Sequence, residues 1–282
     1  MTKKKKNVIL IIFQLHLRYF QLSLDVVLGG VTSCLFMGLL TQSQSNVTSN
    51  ITLGLVIWSI YTFDHLLDAK NSKADQLSAR LAFHKRHASL LSKILIFMIV
   101  LIAVLIPFIP YKTLLYGTIL SCAVLVYFLS IHFLKSKYVL HKELVIAIIY
   151  TAGICLGPVS QMTNPISSFQ WLVITIFFII VLFNLLLFSL MDKKEDLSAK
   201  FPSFVIAAGE PVTLVVLKLL GLIGIVLITY LISLGFVKES ILLACMFGVL
   251  QIIFWKRKNM YMIKYYRYAG DGIFLFPIFY LL

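Results

Sequence analysis

Two short acidic runs place carboxylates where helices should end. In Tyr61-Thr-Phe-Asp-His-Leu-Leu-Asp, Asp64 and Asp68 are four residues apart, and Asp192 and Asp196 repeat that spacing in Asp-Lys-Lys-Glu-Asp. Residues at i and i+4 share a helix face, so each run sets two like charges side by side. The C-terminal end of a helix adds negative potential of its own, and stability alone would select neither pair. A divalent cation resolves the conflict. Carboxylate oxygens that leave water on the ion suit Mg²⁺, which is held by one or two carboxylates together with substrate phosphates. Two such pairs facing each other would grip a diphosphate through bridging ions and draw off charge as its C–O bond breaks.

The elements that must carry these residues are set by composition. Of 282 residues 60% are hydrophobic and 13% charged, with a mean hydropathy of +0.97. That excludes a water-soluble enzyme, a disordered tail and a collagenous repeat. A disulfide scaffold is excluded too, because Cys34, Cys122, Cys155 and Cys245 are scattered inside apolar runs and read as packing residues. The net charge of +14 falls in short clusters between apolar stretches, with no continuous stripe, so the partner it indicates is a lipid bilayer and not nucleic acid.

Apolar runs of membrane-spanning length fall at Tyr19 to Leu40, Ile51 to Asp68, Leu90 to Ile109, Thr113 to Leu134, Leu144 to Val159, Gln170 to Met191, Val212 to Leu231, Ser240 to Trp255 and Ala269 to Leu282. Helices are expected, because the runs lack the period-2 alternation of barrel strands. The expected fold is all-α: a polytopic membrane protein of nine transmembrane helices around a central cytoplasm-facing cavity. Residues 1–282 read as one integral domain, with a basic N-terminus (1–18), two four-helix halves (19–134 and 140–255) and a ninth helix (269–282). Nearly all of the 25 basic residues fall on one side of these spans, leaving Lys112 and Lys238 opposite and Lys218 within a span. The positive-inside rule then puts the N-terminus in the cytoplasm and the C-terminus outside, a multi-pass topology read as that of a bacterial inner membrane.

Each aspartate pair ends a span, the second and the sixth, and four crossings separate them. Both therefore end helices running in the same direction, at corresponding points of a parallel four-helix pseudo-repeat, and all four carboxylates are expected to face one cavity. Arg80 follows the first pair, Lys193 and Lys200 follow the second, and Lys135 and Lys137 occupy the next basic loop; these are the candidate phosphate binders. Tyr61 is a candidate aromatic face for an allylic cation. His65, His84 and His87 show no paired ligand pattern and read as interfacial, partly solvated side chains. Carboxylates inside a membrane need a partner, so Asp25 is expected to pair with Arg18, and Asp271 with Lys264 or Arg267.

Nine spans with D-x-x-x-D pairs ending the second and sixth resemble the UbiA superfamily of intramembrane prenyltransferases. The likeness is closest at Met191-Asp-Lys-Lys-Glu-Asp-Leu-Ser-Ala-Lys-Phe-Pro-Ser, which is similar to that family's second motif and following loop. It implies that Asp64, Asp68, Asp192 and Asp196 are the catalytic residues and bind Mg²⁺ and diphosphate. The activity implied is transfer of an isoprenoid chain from a prenyl diphosphate to an acceptor that the sequence does not name. Two departures stand out. The first-motif asparagine falls at Ile60, with Tyr61 beside it as a substitute, and the loop from Ser78 to His87 is basic and histidine-rich where the family carries an R-P-L-x-x-G-like segment. The alternative is a divergent, non-catalytic member of the same fold that binds or transports a cation or lipid phosphate.

Overall fold

The computed structural model describes residues 18–43, 46–71, 79–134, 142–199 and 201–282, and among them every regular element is helical. In chain order these are α1 (Leu24–Leu40), α2 (Val47–Asn71), α3 (Ala79–Arg86), α4 (Ala88–Leu105), α5 (Tyr111–Leu134), α6 (Lys142–Ser160) and α7 (Ser168–Met191). They continue as α8 (Lys193–Ala199), α9 (Phe204–Ala208), α10 (Glu210–Ser233), α11 (Val237–Trp255), α12 (Met260–Gly272) and α13 (Ile278–Leu281).

Six of the nine expected spans are helices long and apolar enough to cross a membrane: Ala88–Phe108, Tyr111–Ser130, Lys142–Ser160, Ser168–Met191, Glu210–Ser233 and Val237–Trp255. The other three differ for identifiable reasons. Helix α1 is apolar but 17 residues long, and α2 is long enough but interrupted by its own polar residues. The run Ala269 to Leu282 is not one helix. Helix α12 ends at Gly272, a 3₁₀ turn covers Ile273–Leu275, and the chain passes Pro277, which has no N–H to continue the ladder, before α13.

Helix α7 is the centre of the bundle. Its residues are apolar on all sides, and Val173, Ile176, Phe177, Ile180, Phe183 and Leu187 have no exposed surface. A capping box starts it: Ser167 Oγ accepts from Gln170 N at 3.3 Å, and Gln170 Oε1 accepts from Ser167 N at 2.8 Å. Helices α6, α10 and α11 pack around it, while α1 joins α6 to α2 and to the broken C-terminal segment.

Small residues permit that last contact. A Cβ built on Gly29 would lie 2.7 Å from Phe274 Cβ, and Thr32 Oγ1 donates to the Phe274 carbonyl at 2.9 Å. Gly29→Val should therefore overpack the joint between α1 and the 3₁₀ turn. The expected cost is about 1–3 kcal/mol, measured as a lower melting temperature in detergent; an unchanged melting temperature would show that the joint is loose.

Helices α4 and α5 follow one another directly but scarcely pack together. Helix α4 rests on α2, α5 rests on α6, and these two are the least buried of the six apolar spans. The space between the α2–α4 wall and the α5–α6 wall is the cavity described next.

Candidate active site at the charged end of a membrane cavity

A cavity of about 1490 Å³ runs along the bundle axis. That exceeds the roughly 300–1,000 Å³ typical of a small-molecule pocket and leaves room for a second ligand. Ile102, Ile106 and Ile109 border it on the α4 side, and Thr113, Leu114 and Gly117 on the α5 side, across the poorly packed seam.

One end is charged. Asp64 and Asp68 reach it from the last turns of α2, Asp192 from the residue that caps α7, and Asp196 from α8. The chain turns at Asp192, yet Asp196 N still donates to the Asp192 carbonyl at 2.9 Å, and Asp192 N donates to Phe188 O at 2.8 Å. The i, i+4 relation thus survives the break between α7 and α8, and both carboxylates reach the same cavity. Asp68 and Asp196, from opposite halves of the sequence, interact electrostatically, with Lys142 beside both. Among the described residues no three His, Cys, Asp or Glu side chains form a closed metal cage. The donor set is carboxylate oxygen in pairs. That fits a hard cation which completes its shell with water and phosphate, and does not fit a structural zinc site.

Asp192 is buried, 6% exposed, and accepts from the Tyr266 hydroxyl and from the Arg267 guanidinium, both on α12. Burial pushes its carboxyl up to about 7, against the pull of Arg267. Asp196 is also raised by burial. Arg267 and Tyr266 escaped the sequence reading, which had offered Arg267 to Asp271. Nothing in a basic segment 74 and 75 residues beyond Asp192 points to that aspartate.

The other expected site residues divide. Tyr61 and Arg80 line the cavity. Lys193 does not: its ammonium pairs with Glu210 Oε2 at 2.8 Å, at the start of α10 and on the surface. Lys135, Lys137 and Lys200 lie outside the described residues. Arg80 lies 3.6 Å from Asp25 Oδ2 and 4.0 Å from Asp271 Oδ2, so Asp25 pairs with Arg80 in place of the expected Arg18, while Asp271 interacts with Arg80 and also with the expected Arg267; the Lys264 side chain lies outside what is described. Arg18 instead stacks over the Phe83 ring at 4.8 Å. His65 and His87 are partly exposed, as expected, and His84 is not. His84 is 1% exposed, its ring centroid 4.8 Å from that of His65 and its Nδ1 2.9 Å from the Arg80 carbonyl; burial lowers its pKa.

The loop after Asp196 is pinned by two side chains. Glu143 Oε1 accepts from Phe204 N at 2.8 Å, and Ser189 Oγ accepts from Val205 N at 3.1 Å, so α6 and α7 together satisfy the first N–H groups of α9. Glu143→Ala would leave Phe204 N unpaired at a partly buried position. A loss of about 1–3 kcal/mol is expected in detergent unfolding, and Glu143→Gln, which still offers an acceptor, should lose less. Equal losses would contradict the capping role.

The sequence matches the UbiA prenyltransferase family over residues 47–268. The chain belongs to the UbiA prenyltransferase family. Two solved structures share the fold of this UbiA family member. One is described as a UbiA homolog from Archaeoglobus fulgidus bound to DMAPP and Mg2+, with a TM-score of 0.62, 12% identity, and coverage of 92% of this chain and 97% of that one. The other is the homolog bound to GPP and Mg2+, with a TM-score of 0.61, 12% identity, and coverage of 92% and 98%. No curated protein sequence matches the chain. The matched segment begins in α2 and ends in α12, and so contains both aspartate pairs together with Arg80 and Arg267.

Proposed function

We propose that this UbiA family member catalyses Mg²⁺-dependent transfer of an isoprenoid chain from a prenyl diphosphate to an acceptor within the membrane. One observation carries the reading: two D-x-x-x-D pairs, far apart in sequence, line the charged end of a cavity whose remaining walls are mostly apolar. The binding of DMAPP, GPP and Mg²⁺ by the Archaeoglobus homolog supports it.

In this reading Asp64, Asp68, Asp192 and Asp196 hold Mg²⁺ and, through it, the diphosphate. Bound there, Mg²⁺ would supply positive charge to the leaving group. The carboxylates set the diphosphate at the charged end, while walls such as Ile57, Ile146 and Leu185 hold the chain away from water. Tyr61 and Tyr127 present aromatic rings where positive charge develops on the reacting carbon. Lys135, Lys137 and Lys200 are assigned to the leaving group, with Arg80 available to it only from its place between Asp25 and Asp271, and Lys193 only if it leaves Glu210. The same reading places the chain as a single nine-crossing domain of two four-helix halves and a ninth segment in a bacterial inner membrane. Its N-terminus and charged end face the cytoplasm, and its C-terminus lies outside.

Ile60 favours the second reading, because it lines the cavity as an apolar residue where the family motif carries asparagine. A non-catalytic member would bind or move a cation or lipid phosphate instead. Thermal stabilisation in detergent separates the two. With Mg²⁺ and ligand at 100 times its Kd, geranylgeranyl diphosphate should add about 2.7 kcal/mol. Inorganic diphosphate at the same concentration should add much less if the chain is recognised. Equal stabilisation by the two would favour the ion or phosphate binder.

A further inference from the structure

Helix α12 carries neither aspartate pair, yet it holds one of the four carboxylates by both oxygens. Asp192 Oδ1 accepts from the Tyr266 hydroxyl, and Asp192 Oδ2 accepts from Arg267 Nη2. Arg267 Nε also donates to the Tyr266 oxygen, at 3.2 Å, so the three side chains close a ring. The ring has one polarity. A guanidinium N–H can only donate, so the Tyr266 oxygen is the acceptor there and its single proton goes to Asp192. Each Asp192 oxygen spends one lone pair on α12 and keeps another. Phe188 is the platform under this ring. It lies four residues before Asp192 on α7, with the Tyr266 ring edge-on to it at 5.4 Å between centroids and the Arg267 guanidinium over it, also at 5.4 Å. Gly270 lets α12 come this close, because a Cβ there would lie 2.6 Å from the Phe188 ring. Four residues after Arg267, Asp271 draws the same guanidinium from its own helix.

We infer that Tyr266 and Arg267 are positioning residues for the metal, fixing the Asp192 carboxylate in the orientation in which its remaining lone pairs meet Mg²⁺. This rests on the prenyl-transfer reading above, in which Asp192 is a metal ligand, and it adds α12 to the elements that build the site. The last torsion of an aspartate side chain is broad, so a carboxylate left to turn presents its oxygens in many directions. Tyr266 and Arg267 pin the two oxygens separately and remove that freedom, as outer partners of metal ligands do. Both act through Asp192. They differ in charge: Tyr266 contributes orientation alone, whereas Arg267 adds a positive charge that opposes the ion's own. The effect of Arg267 on orientation is therefore read only with its charge held constant.

The test uses the full chain in detergent with geranylgeranyl diphosphate and Mn²⁺, which shares magnesium's preference for oxygen ligands and whose paramagnetic resonance signal separates free from bound ion. Tyr266→Phe removes a single oxygen and keeps the ring on Phe188. Arg267→Lys keeps the charge and loses Nε and the planar fork. Each should weaken Mn²⁺ binding about 10- to 100-fold, with the melting temperature of the metal-free protein close to that of wild type. A purely structural role would lower the melting temperature and leave the affinity alone. Tyr266→Phe added to Asp192→Ala should weaken binding no further than Asp192→Ala does by itself, because Tyr266 acts only through that carboxylate. Tyr266→Phe decides the matter even if Arg267→Lys does not fold. Unchanged Mn²⁺ affinity in Tyr266→Phe overturns the inference and leaves the transferase reading in place, provided that Asp192→Ala weakens binding. Tighter binding overturns it too, since the hydroxyl would then compete with the ion. A wild type that binds no Mn²⁺ beside the diphosphate, or whose binding Asp192→Ala leaves untouched, overturns the transferase reading, and the inference with it.

Discussion

Asp192→Ala and Asp68→Ala should each lower Mg²⁺-dependent affinity for geranylgeranyl diphosphate by about 100-fold or more, with little change in fold. Loss of an outer partner of a metal ligand alone costs roughly 10–100-fold in metal affinity, and these residues are assigned to the ion itself. Folding should survive at Asp192, because the Arg267 side chain it would leave behind is 44% exposed and can be hydrated. The two substitutions should also be strongly non-additive, since one ligand needs both pairs. Titration calorimetry of the single and double variants checks this. Independent, additive effects would mean that the pairs serve separate sites, and the single-cavity reading would fail.

The second large effect concerns the apolar lobe. Gly117 and Gly153 line the cavity with open space in front of them: a Cβ at Gly153 meets only Leu120 Cδ2, at 3.7 Å, and one at Gly117 meets nothing within 4 Å. Gly153→Phe should project into that space, its Cβ in ordinary contact with Leu120. Gly153 lies ten residues along α6 from Glu143, about 15 Å from the charged end at 1.5 Å per residue. A long chain reaches it and a five-carbon chain does not. Displacing two to four buried methylenes at about 0.8 kcal/mol each predicts a roughly 10- to 200-fold weaker affinity for geranylgeranyl diphosphate. Dimethylallyl diphosphate should bind unchanged. If both ligands weaken equally, the lobe does not hold the chain.

What the sequence made legible depended on how local each signal was. The aspartate pairs stood out because an i, i+4 spacing is a helical property and the chain has only 11 acidic residues. Six spans announced themselves by unbroken apolar length, and the uncertain ninth run carried its own breaker in Pro277. Arg80 was marked only as a basic residue following the first pair. Its bond to Asp25 and Asp271 joins α1, α3 and α12, and no spacing rule connects three elements so far apart. Arg267 reads from the sequence as a partner for Asp271 four residues on, and its bond to Asp192 exists only because α12 packs beside α7. Lys193 shows the converse. It shares a run with Asp192 and Asp196, yet its position on the helix turns it toward Glu210. Glu143 caps a helix that begins 61 residues later, a role that depends entirely on the chain returning there.

The measurement that bears most directly on the central claim is diphosphate release from geranylgeranyl diphosphate by purified protein in detergent, followed with and without Mg²⁺. The account predicts release that requires Mg²⁺, leaves an isoprenoid product, and disappears in both Asp64→Ala and Asp192→Ala. Failure to bind the diphosphate, or release that persists without Mg²⁺ or in either variant, would contradict it.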